Sequence, residues 1–330
     1  MSAPASTLRS RFRTDSPWLE ANRPLVVAAS LIILILLVAG IRHPGFVGAG
    51  NLRNQLVLAS FLGIAAAGQT LVILTGGIDL SLAWNLNFSA ILMTQIAGNS
   101  DAPGRVTWAI AVALFSSVCV GFINGVGVAF LRIPSLVMTL GMNAVLLGLT
   151  LVYTSGTPQG TAPEVIIDLA TGRIVGIPWA VILWVVISAL LIFLLRRTVM
   201  GRQLYAIGNN PRASFLSGVP IRGVLVASYT IAGFFAGITG LLLTGYSNQS
   251  FLRMGDAFLL PAIAAVVIGG TSILGGSGGY VGTILGAIIV TLLQNVLSIE
   301  GRSQADQQIL FGAIVLIMLL LYGRESKVRE

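Results

Sequence analysis

The feature that most constrains this chain is a succession of apolar runs, each near the length of a bilayer crossing, parted by short segments that hold nearly all the charge. About 20 apolar residues of helix cross the roughly 30 Å of hydrocarbon. A segment without water to bond must also close its backbone hydrogen bonds internally, as a helix does. Such runs stand at approximately 25–41, 55–75, 81–97, 106–131, 134–154, 179–195, 224–246, 259–274, 280–298 and 307–323. They predict an all-α integral membrane protein of about ten transmembrane helices, with broken or re-entrant segments near Gly76 and Gly275. Only 9% of residues are charged and 55% are hydrophobic, where soluble domains carry about 25% charge.

The chain divides into an N-terminal segment 1–24, a membrane domain 25–323 with one basic loop at 196–222, and a tail 324–330. Arg9, Arg11, Arg13 and Arg23 precede the first run, a pattern shared with secretory signals. The charged region is long, however, and no clear small-x-small site precedes Arg42, so the run reads as an uncleaved span. Threading ten spans from a cytoplasmic N-terminus puts 13 of the 19 Lys and Arg residues inside, the sense the positive-inside rule requires. Merging 55–75 with 81–97 would send the central arginines outside. Both termini are then cytoplasmic, and the net charge of +8 reflects topology rather than nucleic-acid binding.

Several chemistries find no support. Cys119 is a lone cysteine in an apolar run, and His43 a lone histidine, so neither an internal disulfide nor a metal cluster is readable. The 11 acids lie mostly between spans and form no catalytic constellation. The outside loop 155–178 shows no domain of its own.

The basic stretch Arg196–Arg222 carries helix signals. Asn210 and Pro211 predict a helix start, with proline at the first position, where no N–H is missed. Gly218 predicts its stop. The intervening RASFLS is too short to stand alone, so packing through Phe215 and Leu216 is expected to hold it. Flanking Gly208 and Gly218 would let Pro211–Ser217 turn as a unit. Such a helix, with Arg212 and Ala213 on it, could dock a soluble partner; an ordinary loop whose charges only fix topology reads equally well.

Further motifs lie in the spans. Asp79, in Thr75-Gly76-Gly77-Ile78-Asp79-Leu80-Ser81, stands between two spans with almost no loop around it. It reads as a cap for the next helix or as a polar contact in a pathway or gate. The glycine-rich run 269–279 lacks the Lys-Ser/Thr ending of a phosphate loop, and close helix approach explains it better. LVILTGGIDLS at 71–81 echoes VVIGGTSILGG at 266–276, a faint internal repeat. Small residues recur at four-residue spacing in Gly121/Gly125, Gly233/Gly237 and Gly278/Gly282/Gly286, which permits close helix packing. The uncharged amides Gln69, Asn85, Asn87, Asn124, Asn143, Gln294 and Asn295, with Trp84 and Phe88, suit either interhelical hydrogen bonds or a neutral polyhydroxy solute.

At four segments the chain resembles the membrane-spanning permease subunits of bacterial ribose-type (monosaccharide) ABC importers. These are VILTGGIDLSLA at 72–83, FINGVGVAFLRIPSLVMTLG at 122–141, GRQLYAIGNNPRASFLSGVPI at 201–221 and AAVVIGGTSILGGSGGYVGTILGA at 264–287. Two departures stand out: Leu82-Ala83-Trp84 where the family follows its Gly-Gly-Ile-Asp-Leu-Ser with Val-Gly, and Ala213-Ser214 where it tends to have two alanines. The resemblance implies a permease domain over 25–323 in the bacterial inner membrane, paired with a second permease as a homo- or heterodimer. It implies a separate cytoplasmic ABC ATPase using ATP and Mg, a periplasmic sugar-binding protein, and no cofactor on this chain. Gly201, Ala206, Gly208, Asn209, Ala213 and Gly218 then mark the ATPase-coupling region, and Asp79 falls on the family's acid after the second span. An ion-coupled secondary transporter, for which Asp79 is the only candidate acid, and a passive channel are the rival classes.

Overall fold

A computed structural model describes residues 23–326; the expected N-terminal segment up to residue 22 and the tail from 327 lie outside the described residues. Thirteen α-helices occur among the described residues. They are α1 (Arg23–Arg42), α2 (Ala49–Leu74), α3 (Leu82–Ala97), α4 (Pro103–Ala129), α5 (Ser135–Thr154), α6 (Glu164–Thr171), α7 (Trp179–Arg197), α8 (Val199–Asn209), α9 (Pro211–Leu216), α10 (Ile221–Ser247), α11 (Asp256–Ile268), α12 (Tyr280–Ile299) and α13 (Gln304–Ser326). A 3-10 turn covers Pro44–Val47, and Arg173–Ile174 pairs with Ile177–Pro178 as a two-stranded hairpin.

Seven of the helices (α1, α2, α4, α5, α7, α10 and α12) are long and apolar enough to cross a membrane. The other three expected spans fall on α3, of 16 residues, α11, of 13, and α13, of 23, whose apolar part is Gln304–Leu320. The run expected to span 259–274 is helical only to Ile268, and at 1.5 Å per residue its 13 residues reach about 20 Å, less than a bilayer core. The cause is a chain break at Gly269–Gly279, wider than the one expected at Gly275, in which Gly270, Gly275, Gly276 and Gly278 all take positive φ. The segment 155–178 is also more structured than its sequence suggests: α6 lies there and packs on α10.

Helix α2 is the axis of the molecule, packed by α7, α10, α11 and α12, with Phe61, Ile64, Leu71 and Ile73 wholly buried. The four-residue glycine pairs work as close contacts. A Cβ on Gly121 would collide with the Tyr229 carbonyl, and one on Gly233 with that of Ser117, so α4 and α10 touch backbone to backbone.

The two breaks end their helices with the same hydrogen-bond pattern. At the end of α2, Gly76 N–H donates to the Ile73 carbonyl and Gly77 N–H to that of Val72. At the end of α11, Gly270 N–H donates to Val267 and Thr271 N–H to Val266. Both are the Schellman stop, with glycine in the left-handed conformation at φ +82° and +84°. Position 76 therefore matches 270, one residue from the register that aligning the two Gly-Gly pairs gives.

Candidate functional site

The two broken segments meet. Gly276 N–H donates to the carbonyl of Leu74, the last residue of α2, at 3.0 Å. Helix α8 closes the junction from the basic stretch. Asn209 donates its amide to the Gly276 carbonyl at 3.1 Å, and Tyr205 its hydroxyl to that of Gly278 at 3.0 Å. Partial burial pushes the Tyr205 phenol above its usual range against the pull of Arg196. Gly208 lies against Leu74 and Gly276 so closely that a Cβ would strike backbone on both. It is a contact inside a helix, not the hinge its position beside α9 suggests. Gly201 likewise lets α8 lie on the end of α7, where a Cβ would meet the Leu194 and Leu195 carbonyls. Ala206 is half-buried on the same helix.

Helix α8 itself escaped the sequence reading. Its signals are Thr198, whose hydroxyl accepts the Gly201 N–H at 3.2 Å, and buried Leu204 and Ile207 one turn apart.

The expected short helix forms as α9. The Asn210 side chain accepts the Ala213 N–H at 3.0 Å with Pro211 behind it. Gly218, at φ +79°, ends it with Gly218 N–H donating to Phe215 and Val219 N–H to Ser214, the same stop again. Phe215 and Leu216, expected to hold the helix by packing, do not: they are 70% and 78% exposed. The caps and buried Ser214, whose hydroxyl donates to the Asn210 carbonyl at 2.9 Å, fix α9 instead. Pro211, Arg212 and Ala213 are exposed too.

Asp79 sits in the first break, 3% exposed. Its carboxylate accepts the Ser81 N–H at 2.9 Å and the Ser81 hydroxyl at 2.6 Å. That is a turn bond to the residue ahead of α3 rather than a cap on N–H groups inside it. Ser81 Oγ in turn accepts the Asn124 amide from α4 at 2.8 Å. Gln69 grips the Asp79 backbone from both sides, donating to its carbonyl and accepting its N–H, and Thr139 Oγ1 of α5 accepts the Leu80 N–H at 3.0 Å. The turn thereby ties α2, α3, α4 and α5 together.

The remaining candidates lie along α3. Trp84 and Phe88 pack with Val120 and Leu146, and the Trp84 N–H points to Asn143 Oδ1 at 3.4 Å. Asn85 donates to the Ser117 carbonyl at 3.3 Å. Asn87 is wholly buried with neither amide atom partnered. Trp84 and Phe88 thus sit where α3 packs on α4 and α5, and Asn85 faces α4. The coupling candidates share the junction and α9.

A family model described as the branched-chain amino acid transport system / permease component matches residues 51–321. The ribose import permease protein RbsC of Escherichia coli K12 is 34% identical, over 97% of this chain and 99% of its own. Its namesake in Bacillus subtilis 168 is 36% identical, over 90% and 91%. The fructose import permease protein FrcC of Rhizobium meliloti is 30% identical, over 91% and 85%. No solved structure matches the chain at a significant level. With the family model covering most of the sequence and relatives aligned almost end to end, this multi-pass membrane chain belongs to the ABC-transporter permease family, in its ribose-type branch.

Proposed function

We propose that this chain is the translocation subunit of an ATP-driven importer for a monosaccharide or a related neutral polyhydroxy solute. It works in the bacterial inner membrane as one of a pair of permease chains, with both termini in the cytoplasm. ATP and Mg belong to a separate ATPase, and a periplasmic binding protein delivers the sugar; the chain itself is a conduit, not an enzyme. Relatives named for ribose and fructose import support the solute class.

The observation that carries the reading is the exposed pair Phe215 and Leu216 on a capped helix, placed directly after α8. A soluble partner that covers this pair gains apolar contact and pushes on α8. Through Asn209, Tyr205 and Gly208, α8 bears on both broken segments, which makes the junction the route from ATPase to spans. The Asp79 turn, one step further in, is the gate that this push would reach.

The test is uptake by proteoliposomes holding this chain, its permease mate, the ATPase and the binding protein. Concentrative sugar uptake that needs ATP and the ATPase is expected. Uphill accumulation without the ATPase would defeat the reading.

A further inference from the structure

Among the uncharged amides of the spans, Asn87 is sealed in without a partner, and the others differ in how they are satisfied. Gln69, Asn85, Asn124 and Asn143 spend hydrogen bonds on neighbouring helices. Gln294 and Asn295 of α12 do not: among the described residues, no hydrogen bond involves either side chain. Both line a cleft of about 310 Å³ between α2, α10, α11, α12 and α13, with Thr291 on the same helix, Tyr246 of α10 and Gln307 of α13.

Two buried groups beside the cleft also lack partners. Thr291 is 4% exposed and its hydroxyl is unbonded. Gln55 of α2 is 3% exposed, neither of its amide atoms is bonded, and it shares with Thr291 an adjoining apolar cavity of about 240 Å³. Amides and hydroxyls facing hydrocarbon or left dry are costly, so such a group of them must meet water, a ligand or another chain.

The chemistry of the walls narrows the choice. Among the described residues no charged side chain lines the cleft, so its walls offer hydrogen bonds but no counter-charge. Tyr246 supplies an aromatic wall, steadied edge-on by Phe61 at 5.7 Å and by donating its hydroxyl to Asn54 at 3.1 Å. The volume is at the small end of the roughly 300–1,000 Å³ usual for ligand sites. Gln294 stands 14 residues along α12 from Tyr280, about 20 Å from the junction, so the cleft lies toward the end of α12 away from the junction.

We propose that this cleft is a transit site for a neutral polyhydroxylated solute of monosaccharide size, bonded by Thr291, Gln294, Asn295 and Gln307. It rests on the importer reading and locates where that solute touches the chain. A second permease copy seated in the cleft, or lipid, is the competing occupant.

The test uses the complete complex with D-ribose as the probe, in a Cys119→Ala background. Asn295→Cys should react with a membrane-impermeant methanethiosulfonate reagent, and D-ribose delivered by the binding protein should slow that reaction at least about threefold. The pair Gln294→Leu and Asn295→Leu should cut uptake at least about tenfold while the ATPase still co-purifies. An unreactive Asn295→Cys means that lipid or the second copy covers the cleft and overturns the site. So does unchanged uptake by the double variant where wild type is active. Wild type that imports no monosaccharide in the same vesicles removes the importer reading, and this site with it.

Discussion

Asn209, the last residue of α8, holds the Gly276 carbonyl at 3.1 Å, and Gly276 in turn holds the carbonyl of Leu74 at 3.0 Å. Three segments far apart in the chain thus close on one another through two hydrogen bonds. Both breaks are glycine stops whose exposed carbonyls and N–H groups would be orphaned without such partners. Helix α8 is thereby tied to the end of α2 and to the break that follows α11.

Asn209→Ala removes the side-chain half of that link. A typical hydrogen bond contributes about 0.5–1.5 kcal/mol net, so the permease should stay folded and at normal membrane levels. Transport should suffer more than assembly: ATPase co-purification near wild type with reduced uptake is the expected result. Uptake and ATP hydrolysis measured in the same vesicles would show whether the two have come apart.

Gly208→Ala sets two effects against each other. Alanine favours a helix interior over glycine by about 0.8–1 kcal/mol. Its methyl, however, meets the backbone of Leu74 and Gly276, which cannot rotate away, and overpacking of that kind costs about 1–3 kcal/mol. The clash should win. A lowered unfolding midpoint of the purified chain is expected, and an unchanged or raised one would mean that the junction is looser than it looks.

Much of this was legible in the sequence, for identifiable reasons. Seven of the spans follow from the solvent, since a long apolar helix closes its own backbone hydrogen bonds in hydrocarbon, and the ends of α9 follow from Asn210, Pro211 and Gly218, whose backbone chemistry is local. The break at Gly76 is visible for the same reason. What stayed hidden depends on tertiary neighbours. Helix α8 is amphipathic and short, with only Leu204 and Ile207 as its buried stripe. No spacing rule says that Gly208 faces a carbonyl rather than empty space, or that Phe215 and Leu216 face away from their own chain. Nor does it separate Asn124, which is bonded to Ser81, from Asn295 in its cleft.

Asp79→Asn tests charge apart from shape. The asparagine oxygen can still accept from Ser81 N and Oγ, and Asn and Asp serve such turns and caps about equally, so the cost should stay under about 1 kcal/mol. Asp79→Leu instead orphans both Ser81 donors, each costing about 1–3 kcal/mol when buried, and should lower the amount of folded protein. If the charge acts in the gate, the Asn variant assembles normally and transports poorly. Full uptake by it would leave Asp79 a purely structural acid.

Leu216→Asp addresses the contact on which the functional reading depends. Leu216 is 78% exposed and its neighbour Phe215 70%, so the substitution should cost the isolated permease no more than the roughly 0.5 kcal/mol usual for surface changes. Insertion and membrane levels should be those of wild type. Each of the two side chains is worth about 1.5–3 kcal/mol if an ATPase buries it completely. An aspartate there loses that gain and also brings an unpaired charge into the contact. Loss of ATPase co-purification and of uptake, at unchanged permease abundance, is the expected outcome, with Phe215→Ala weaker in the same direction because it removes area without adding charge. Wild-type ATPase retention by Leu216→Asp would mean that α9 is only a capped surface turn. The partner's contact would then have to be sought elsewhere on the exposed face of the basic stretch.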